Sequence, residues 1–195
     1  MKTAVSLIVT ISILLLVGGC GVMRSLTTRY FNFSYTVGNP PAIDSPIGTP
    51  TGKPLVVSTY ADIADDLVKK FDKYNGGIDW AGMKFTAELK RGSQVNLKLL
   101  ASLTPPTGSG TDVVIPSTAT QIEDITLTTA QNIIIRDETV DGNRNEPLRS
   151  FISDMLHNSN GNVRVYIYFV VSSPEGGRLE VKNISINGKA HGSLF

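Results

Sequence analysis

The chain of 195 residues contains one cysteine and two histidines. A single cysteine excludes any disulfide within the chain, so a folded domain here rests on its hydrophobic core and not on covalent staples. Two histidines, His157 and His191, leave little material for a catalytic triad or a zinc site. Neither a His-Glu-x-x-His nor a Gly-x-Ser-x-Gly pattern occurs. An excess of charge of one sign is also missing, with 18 basic residues against 17 acidic ones. Nucleic-acid binding, which draws its affinity from a basic surface that releases counterions, is therefore not expected. Tryptophan occurs once, as Trp80, and no long apolar run comes after the first two dozen residues.

The beginning of the chain is the exception. Ala4–Val17 is an apolar run of 14 residues behind the single basic residue Lys2. That length suits the h-region of a signal peptide and is short for a membrane span. The wider uncharged window 3–23 would cross a bilayer in length, but Gly18, Gly19 and Gly21 each weaken a helix by about 1 kcal/mol relative to alanine. Small residues immediately before a cysteine suit a protease that binds extended backbone. The segment Val17-Gly18-Gly19-Cys20 resembles the lipobox of bacterial lipoprotein signal peptides. The resemblance implies cleavage between Gly19 and Cys20, acylation of Cys20, and a mature chain anchored in a membrane by its acyl chains. It further implies an exported protein of the cell envelope, at the outer membrane in a Gram-negative cell. An uncleaved N-terminal anchor and a plain secretory signal are the alternatives, and all three export the rest of the chain. Removal of residues 1–19 leaves 17 basic and 17 acidic residues, with no general attraction to anionic lipid.

Composition divides the remainder of the chain into a tether at 20–54 and a single β-rich domain at 55–195. Asn39-Pro40-Pro41, Ser45-Pro46-Ile47-Gly48-Thr49-Pro50 and Gly52-Lys53-Pro54 have little apolar periodicity and read as an extended linker. Within it, Tyr30, Phe31, Phe33 and Tyr35 form an aromatic, roughly alternating patch. Three readings stay open for this patch: a strand docked on the domain or on a partner, contact with the membrane interface, or no fixed structure.

Strand signals dominate the domain. Met83–Lys90 alternates, placing Phe85, Ala87 and Leu89 on one face, and Val95–Leu99 alternates again after Arg91-Gly92-Ser93. The pair reads as a hairpin. Val163–Val171 is apolar or aromatic on both faces apart from Arg164, as expected of a central, doubly covered strand. In 179–186 the apolar parity switches, which points to a bulge near Asn183. Two segments have helical period instead: Tyr60–Tyr74, with Ile63, Leu67, Phe71 and Tyr74 on one stripe, and Glu146–His157, with Pro147 at its first turn. The expected fold is mainly β, an antiparallel sandwich or curved sheet with two short covering helices.

Chemistry is sparse. His157 belongs at a helix C-terminus, where carbonyls partner it, and His191 belongs in an exposed glycine-rich tail. Asp137, Asp141, Asn143 and Asn145 offer hard oxygen ligands, the last three at alternate spacing, and form a weak calcium candidate. Glu146 stands where an EF-hand needs glycine and Ile152 where it needs glutamate, which excludes that motif. Otherwise no metal or cofactor is expected. Trp80, between glycines and beside Asp79, reads as a core plug or as a platform for a sugar ring. The function expected from all this is non-enzymatic: a lipid-anchored binding or assembly module, with an envelope protein as partner and contacts from the patch at 30–35 or the C-terminal tail. A carbohydrate-binding or glycan-processing module using Trp80 and a lipid or lipoprotein carrier are the alternatives.

Overall fold

Alternation in this sequence is satisfied by two antiparallel sheets packed face to face. The computed structural model describes residues 28–45, 55–63, 76–108, 113–138, 145–158 and 163–192. The strands are β1 (Arg29–Thr36), β2 (Ile43–Ser45), β3 (Leu55–Ile63), β4 (Gly77–Arg91), β5 (Gln94–Ser102), β6 (Thr120–Thr128), β7 (Ile133–Asp137), β8 (Val163–Ser172) and β9 (Gly177–Gly192). One helix, α1 (Glu146–Asn158), lies between β7 and β8. The first sheet has the order β1-β9-β4-β7, and β2 also pairs with β9. The second has the order β3-β8-β5-β6. The sandwich is thus the expected fold class, and every ladder in it is antiparallel.

The expected hairpin of β4 and β5 does not form. These strands succeed one another across Gly92-Ser93 yet belong to opposite sheets. Both carry an apolar stripe, and stacking the stripes face to face buries both at once. Phe85, Ala87 and Leu89 therefore meet the layer formed by Val95, Leu97 and Leu99, and all six are at most 6% exposed. The crossing turn needs Gly92: its φ is +101°, and a Cβ there would stand 2.4 Å from the carbonyl oxygen of Gly176.

β8 is central, as expected, between β3 and β5. Its inner residues Val165, Ile167, Phe169 and Val171 are fully buried in the main core. Its outer residues Tyr168 and Val170 form a second apolar cluster with Val56, against which Val113 and Ile115 pack. The Tyr168 hydroxyl donates to the carbonyl of Thr104 at 2.8 Å, tying the loop after β5 over this face. The bulge expected near Asn183 is present: Asn183 has φ +55°, and the β4–β9 register slips between the pairs Lys84–Ser185 and Thr86–Lys182.

Two further sequence expectations change. The domain does not begin at Leu55, because β1 and β2 occupy successive stretches of the β9 edge. Val37 donates its amide to the Ile184 carbonyl and is buried, as is Ile43. Residues 29–45, assigned to the tether by their prolines, belong to the first sheet, since an alternating aromatic strand binds a free edge whatever its flanks contain. Second, Tyr60–Ile63 of the expected first helix are the end of β3; the remainder, 64–74, lies outside the described residues. The second expected helix is present as α1 and covers part of the core. It plugs the side of the sandwich between β4 and β6, with Leu148, Ile152, Met155 and Leu156 in the main core.

Candidate interaction surfaces

Strand direction gathers particular residues at one end of the molecule. Arg29 opens β1, Gly77 opens β4 and Gly192 closes β9, and the ladders put all three together. β5 runs back from the Gly92 turn, so its last residues, and with them the start of β8 and the end of β3, lie toward the same end. We call this the upper end.

On the outer face of the five-stranded sheet, Tyr30 pairs with His191, and Trp80 with Lys189. Tyr30 is 61% exposed, and the Lys189 ammonium sits 4.7 Å from the centre of its ring. The Tyr30 and His191 rings are 5.9 Å apart, and His191 Nδ1 lies 2.7 Å from Asp79 Oδ1. The other Asp79 oxygen is buried and has no hydrogen-bond partner among the described residues. A register slip between Ile78 and Trp80 makes Asp79 the bulged residue and brings its carboxylate to His191. The outer face of the other sheet repeats the theme toward the same end. Arg164 stacks 4.1 Å from the centre of the Tyr60 ring and donates to both oxygens of Asp62, at 2.7 and 3.2 Å. Those hydrogen bonds hold the Asp62 carboxyl below the usual carboxylate range.

A different surface lies along β7. Among the described residues this five-residue strand pairs only with β4 and forms an edge of the first sheet. Ile133 and Ile135, on its outer face, are 47% and 68% exposed. Beneath it, Arg136 reaches Glu123 of β6 at 3.6 Å and bridges the side of the sandwich. The remaining outer face of the first sheet carries opposed charges: Lys182, Lys90 and Arg178 surround Glu180, and Arg91 and Arg178 meet Asp44. Such exposed pairs are screened by solvent and add little to stability.

The residues singled out in the sequence divide accordingly. Of the aromatic patch, Tyr30 faces solvent, whereas Phe33 is 8% exposed and Phe31 and Tyr35 pack on the core. Period two splits the patch, so Phe31, Phe33 and Tyr35 turn toward the core and Tyr30 toward solvent. Trp80 stands in a strand, half-buried, rather than in a loop. His191 is not in an exposed tail; the glycine-rich segment is the end of β9, held between β1 and β4. His157 is at the C-terminus of α1, its Nδ1 2.7 Å from the Ser153 carbonyl. Cys20, Gly19, Asp141 and Asn143 lie outside the described residues. Asp137 pairs with Lys84 at 2.7 Å. Asn145, offered as a calcium ligand, is instead the buried cap of α1: its oxygen accepts from the Leu148 amide at 2.9 Å and its amide donates to the Ile122 carbonyl at 3.1 Å. Among the described residues no three His, Cys, Asp or Glu side chains gather as a metal site.

In the sequence Glu138 is no more than one carboxylate in a polar run; the fold gives it a role. It accepts from the Met83 amide at 2.8 Å, which β7 leaves unpaired, and from Asn145 at 3.3 Å. Burial raises its pKa above the usual carboxylate value despite these bonds. A carboxyl whose folded pKa is raised binds its proton more readily folded than unfolded. Its contribution to stability is therefore greatest at low pH and is lost as pH rises from the ordinary glutamate value through the raised one. Unfolding titrations of wild type and Glu138→Gln across pH 4–7 are expected to show a downward slope in wild type that the variant lacks. Parallel profiles would remove this assignment.

No family model and no curated protein matches this chain. Among solved structures, that of infectious bursal disease virus, Gx strain, aligns over 84% of this chain and 36% of the viral chain, with 10% identity and a TM-score of 0.38. This chain thus spans about a third of the length of that viral chain. A family 11 carbohydrate-binding module from Clostridium thermocellum, in complex with a β-1,3-1,4-mixed-linked tetrasaccharide, aligns over 84% of this chain and 89% of its own, with 13% identity and a TM-score of 0.28. Desmodium yellow mottle tymovirus gives 7% identity and a TM-score of 0.27, over 85% of this chain and 86% of the viral one. No ligand or assembly passes from these proteins to this chain.

Proposed function

We propose that the chain is an exported lipoprotein of the cell envelope, anchored through acylated Cys20, that acts by binding and not by catalysis, with a protein as its partner. The observation that carries the protein partner is β7. A short strand that is an edge among the described residues, with two exposed isoleucines, suits the addition of a partner strand, in which backbone bonds supply affinity and alternate side chains supply selectivity. The lipid anchor rests on the Val17–Cys20 motif. Acylation holds the domain at a membrane surface and so raises its effective concentration toward a membrane-bound partner.

Two measurements test this reading. Palmitate is expected to label the wild-type protein and not Cys20→Ser. A photoreactive residue at position 133 is expected to crosslink to one envelope protein in cells, and Ile135→Lys to reduce that product roughly tenfold, because a lysine on an edge strand opposes strand addition. Sedimentation over rising concentration separates a second copy of the chain from a different partner. Absence of any crosslink from the β7 edge would sink the proposal. A carbohydrate reading is supported by a different observation, the common outer face shared by Tyr30 and Trp80, flanked by Lys189 and His191. It predicts glycan-array binding lost in Trp80→Ala. The carrier reading has for support an open pocket of about 490 Å³ lined by apolar side chains that include Ile43, Leu55, Val56 and Val113.

A further inference from the structure

We infer that the upper end of the sandwich, around Arg29, Tyr30, Trp80 and Lys189, rests on the surface of anionic phospholipid. The inference rests on the lipid-anchor reading of Cys20 and deepens it, by fixing which way the domain faces.

The first argument is reach. With the sheet beginning at Arg29, only the eight residues 21–28 separate it from Cys20. Even fully extended, they span about 30 Å. β9 alone has 16 residues, a length of roughly 53 Å. The anchor is therefore attached at the upper end by a leash shorter than the domain, and it is this end that the membrane meets.

The second argument is what stands there. Among the described residues, Arg29 and Lys189 have no carboxylate within ion-pair distance, while the acids near them are already engaged: Asp79 with His191, and Asp62 with Arg164. Arg29 and Lys189 are thus two cations at this end that no carboxylate among the described residues pairs, while Asp79 is neutralised only where His191 is protonated. The connecting segment adds one charge, Arg24, which is also positive. Tyr30, 61% exposed under the Lys189 ammonium, and Trp80 beside it supply rings with an apolar body and a polar atom, the chemistry that settles at a headgroup boundary. Basic residues held near an anionic leaflet are attracted within a screening length, and the short leash keeps these within range.

The geometry also gives the contact a use. β7 pairs with residues 84–88 of β4, seven to eleven positions from Gly77. That is about 25–35 Å along the strand. With the upper end on the lipid, the partner-binding edge stands clear of the bilayer.

Trp80 is the chain's single tryptophan, so its emission reports this surface alone. The acylated protein is reconstituted into phosphatidylcholine vesicles with and without about one third phosphatidylglycerol, each carrying a headgroup-nitroxide lipid. Flotation and Trp80 quenching are then measured on the same samples. The expected result is flotation in both lipids, with quenching roughly twofold stronger in the anionic vesicles. That excess should vanish in Lys189→Glu, and in 1 M salt, where the screening length falls to about 3 Å. Emission in detergent checks that the variant is folded. A protein that floats but is not quenched, or is quenched equally with Lys189→Glu in both lipids, overturns the inference and leaves the anchor reading intact. A protein that does not float removes the anchor, and the inference with it.

Discussion

Gly188→Ala is expected to lower the stability of the domain by about 2–3 kcal/mol, with a fall in Tm of roughly 5–10 °C. Gly188 sits on β9 directly opposite Phe33 of β1, whose ring lies across the glycine. A Cβ there would stand 2.2 Å from Phe33 Cζ and 2.7 Å from the Trp80 carbonyl oxygen on β4. Neither neighbour can retreat easily: one is a buried ring and the other is ladder backbone. The arrangement closes the upper part of the core by letting an aromatic side chain fill the room a glycine leaves. Phe33→Ala alone should cost about 3 kcal/mol or more through the cavity it opens. The double variant should cost at least about 1 kcal/mol less than the sum, since each change relieves the other. Additive losses in chemical unfolding, or a Gly188→Ala protein within about 0.5 kcal/mol of wild type, would refute the packing argument.

Asn145→Ala is expected to cost about 2–3 kcal/mol, because it removes a helix cap and strands a carbonyl at once. The side chain is 6% exposed and joins three elements: the Leu148 amide of α1, the Ile122 carbonyl of β6, and Glu138 beyond β7. The backbone amide of Asn145 itself donates to the Ala81 carbonyl of β4 at 3.1 Å. Asn145→Asp keeps the acceptor for Leu148 but loses the donor to Ile122 and sets a second carboxylate beside Glu138. It should therefore also destabilise, and more at neutral pH than at pH 5, where Glu138 takes up its proton more readily. A loss no greater than that of an exposed cap, about 1 kcal/mol in Asn145→Ala, would show that the Ile122 and Glu138 contacts contribute little.

These residues mark the limit of what a linear reading reaches. The strands with an unbroken period of two are legible: Phe85, Ala87 and Leu89 face inward as their spacing demands, and Val163–Val171 is central as its two apolar faces require. The helix at Glu146–Asn158 is legible from its stripe. The partner of each strand is not. A short glycine turn serves a hairpin and a sheet-to-sheet crossing equally, and only the competition for buried area over the whole chain sends β5 to the opposite layer. Residues 29–45 escape a linear reading for a similar reason, since proline-rich flanks conceal an edge strand whose ladder partner lies some 150 positions later, as with Ser34 and Asn187.

The sequence by itself determined the alternation that makes a sandwich, the absence of covalent staples, the sparse chemistry of one cysteine and two histidines, and the lipobox resemblance at Cys20. Each is a property of composition or of short spacing, which local physics is sufficient to read. The tertiary structure alone decided that His191 meets Asp79, that Asn145 caps α1 and reaches Ile122, and that Tyr30, Trp80 and Lys189 share one face. Those pairings join residues from 23 to more than 150 positions apart, and they are set by which edges and faces remain open once the core is filled.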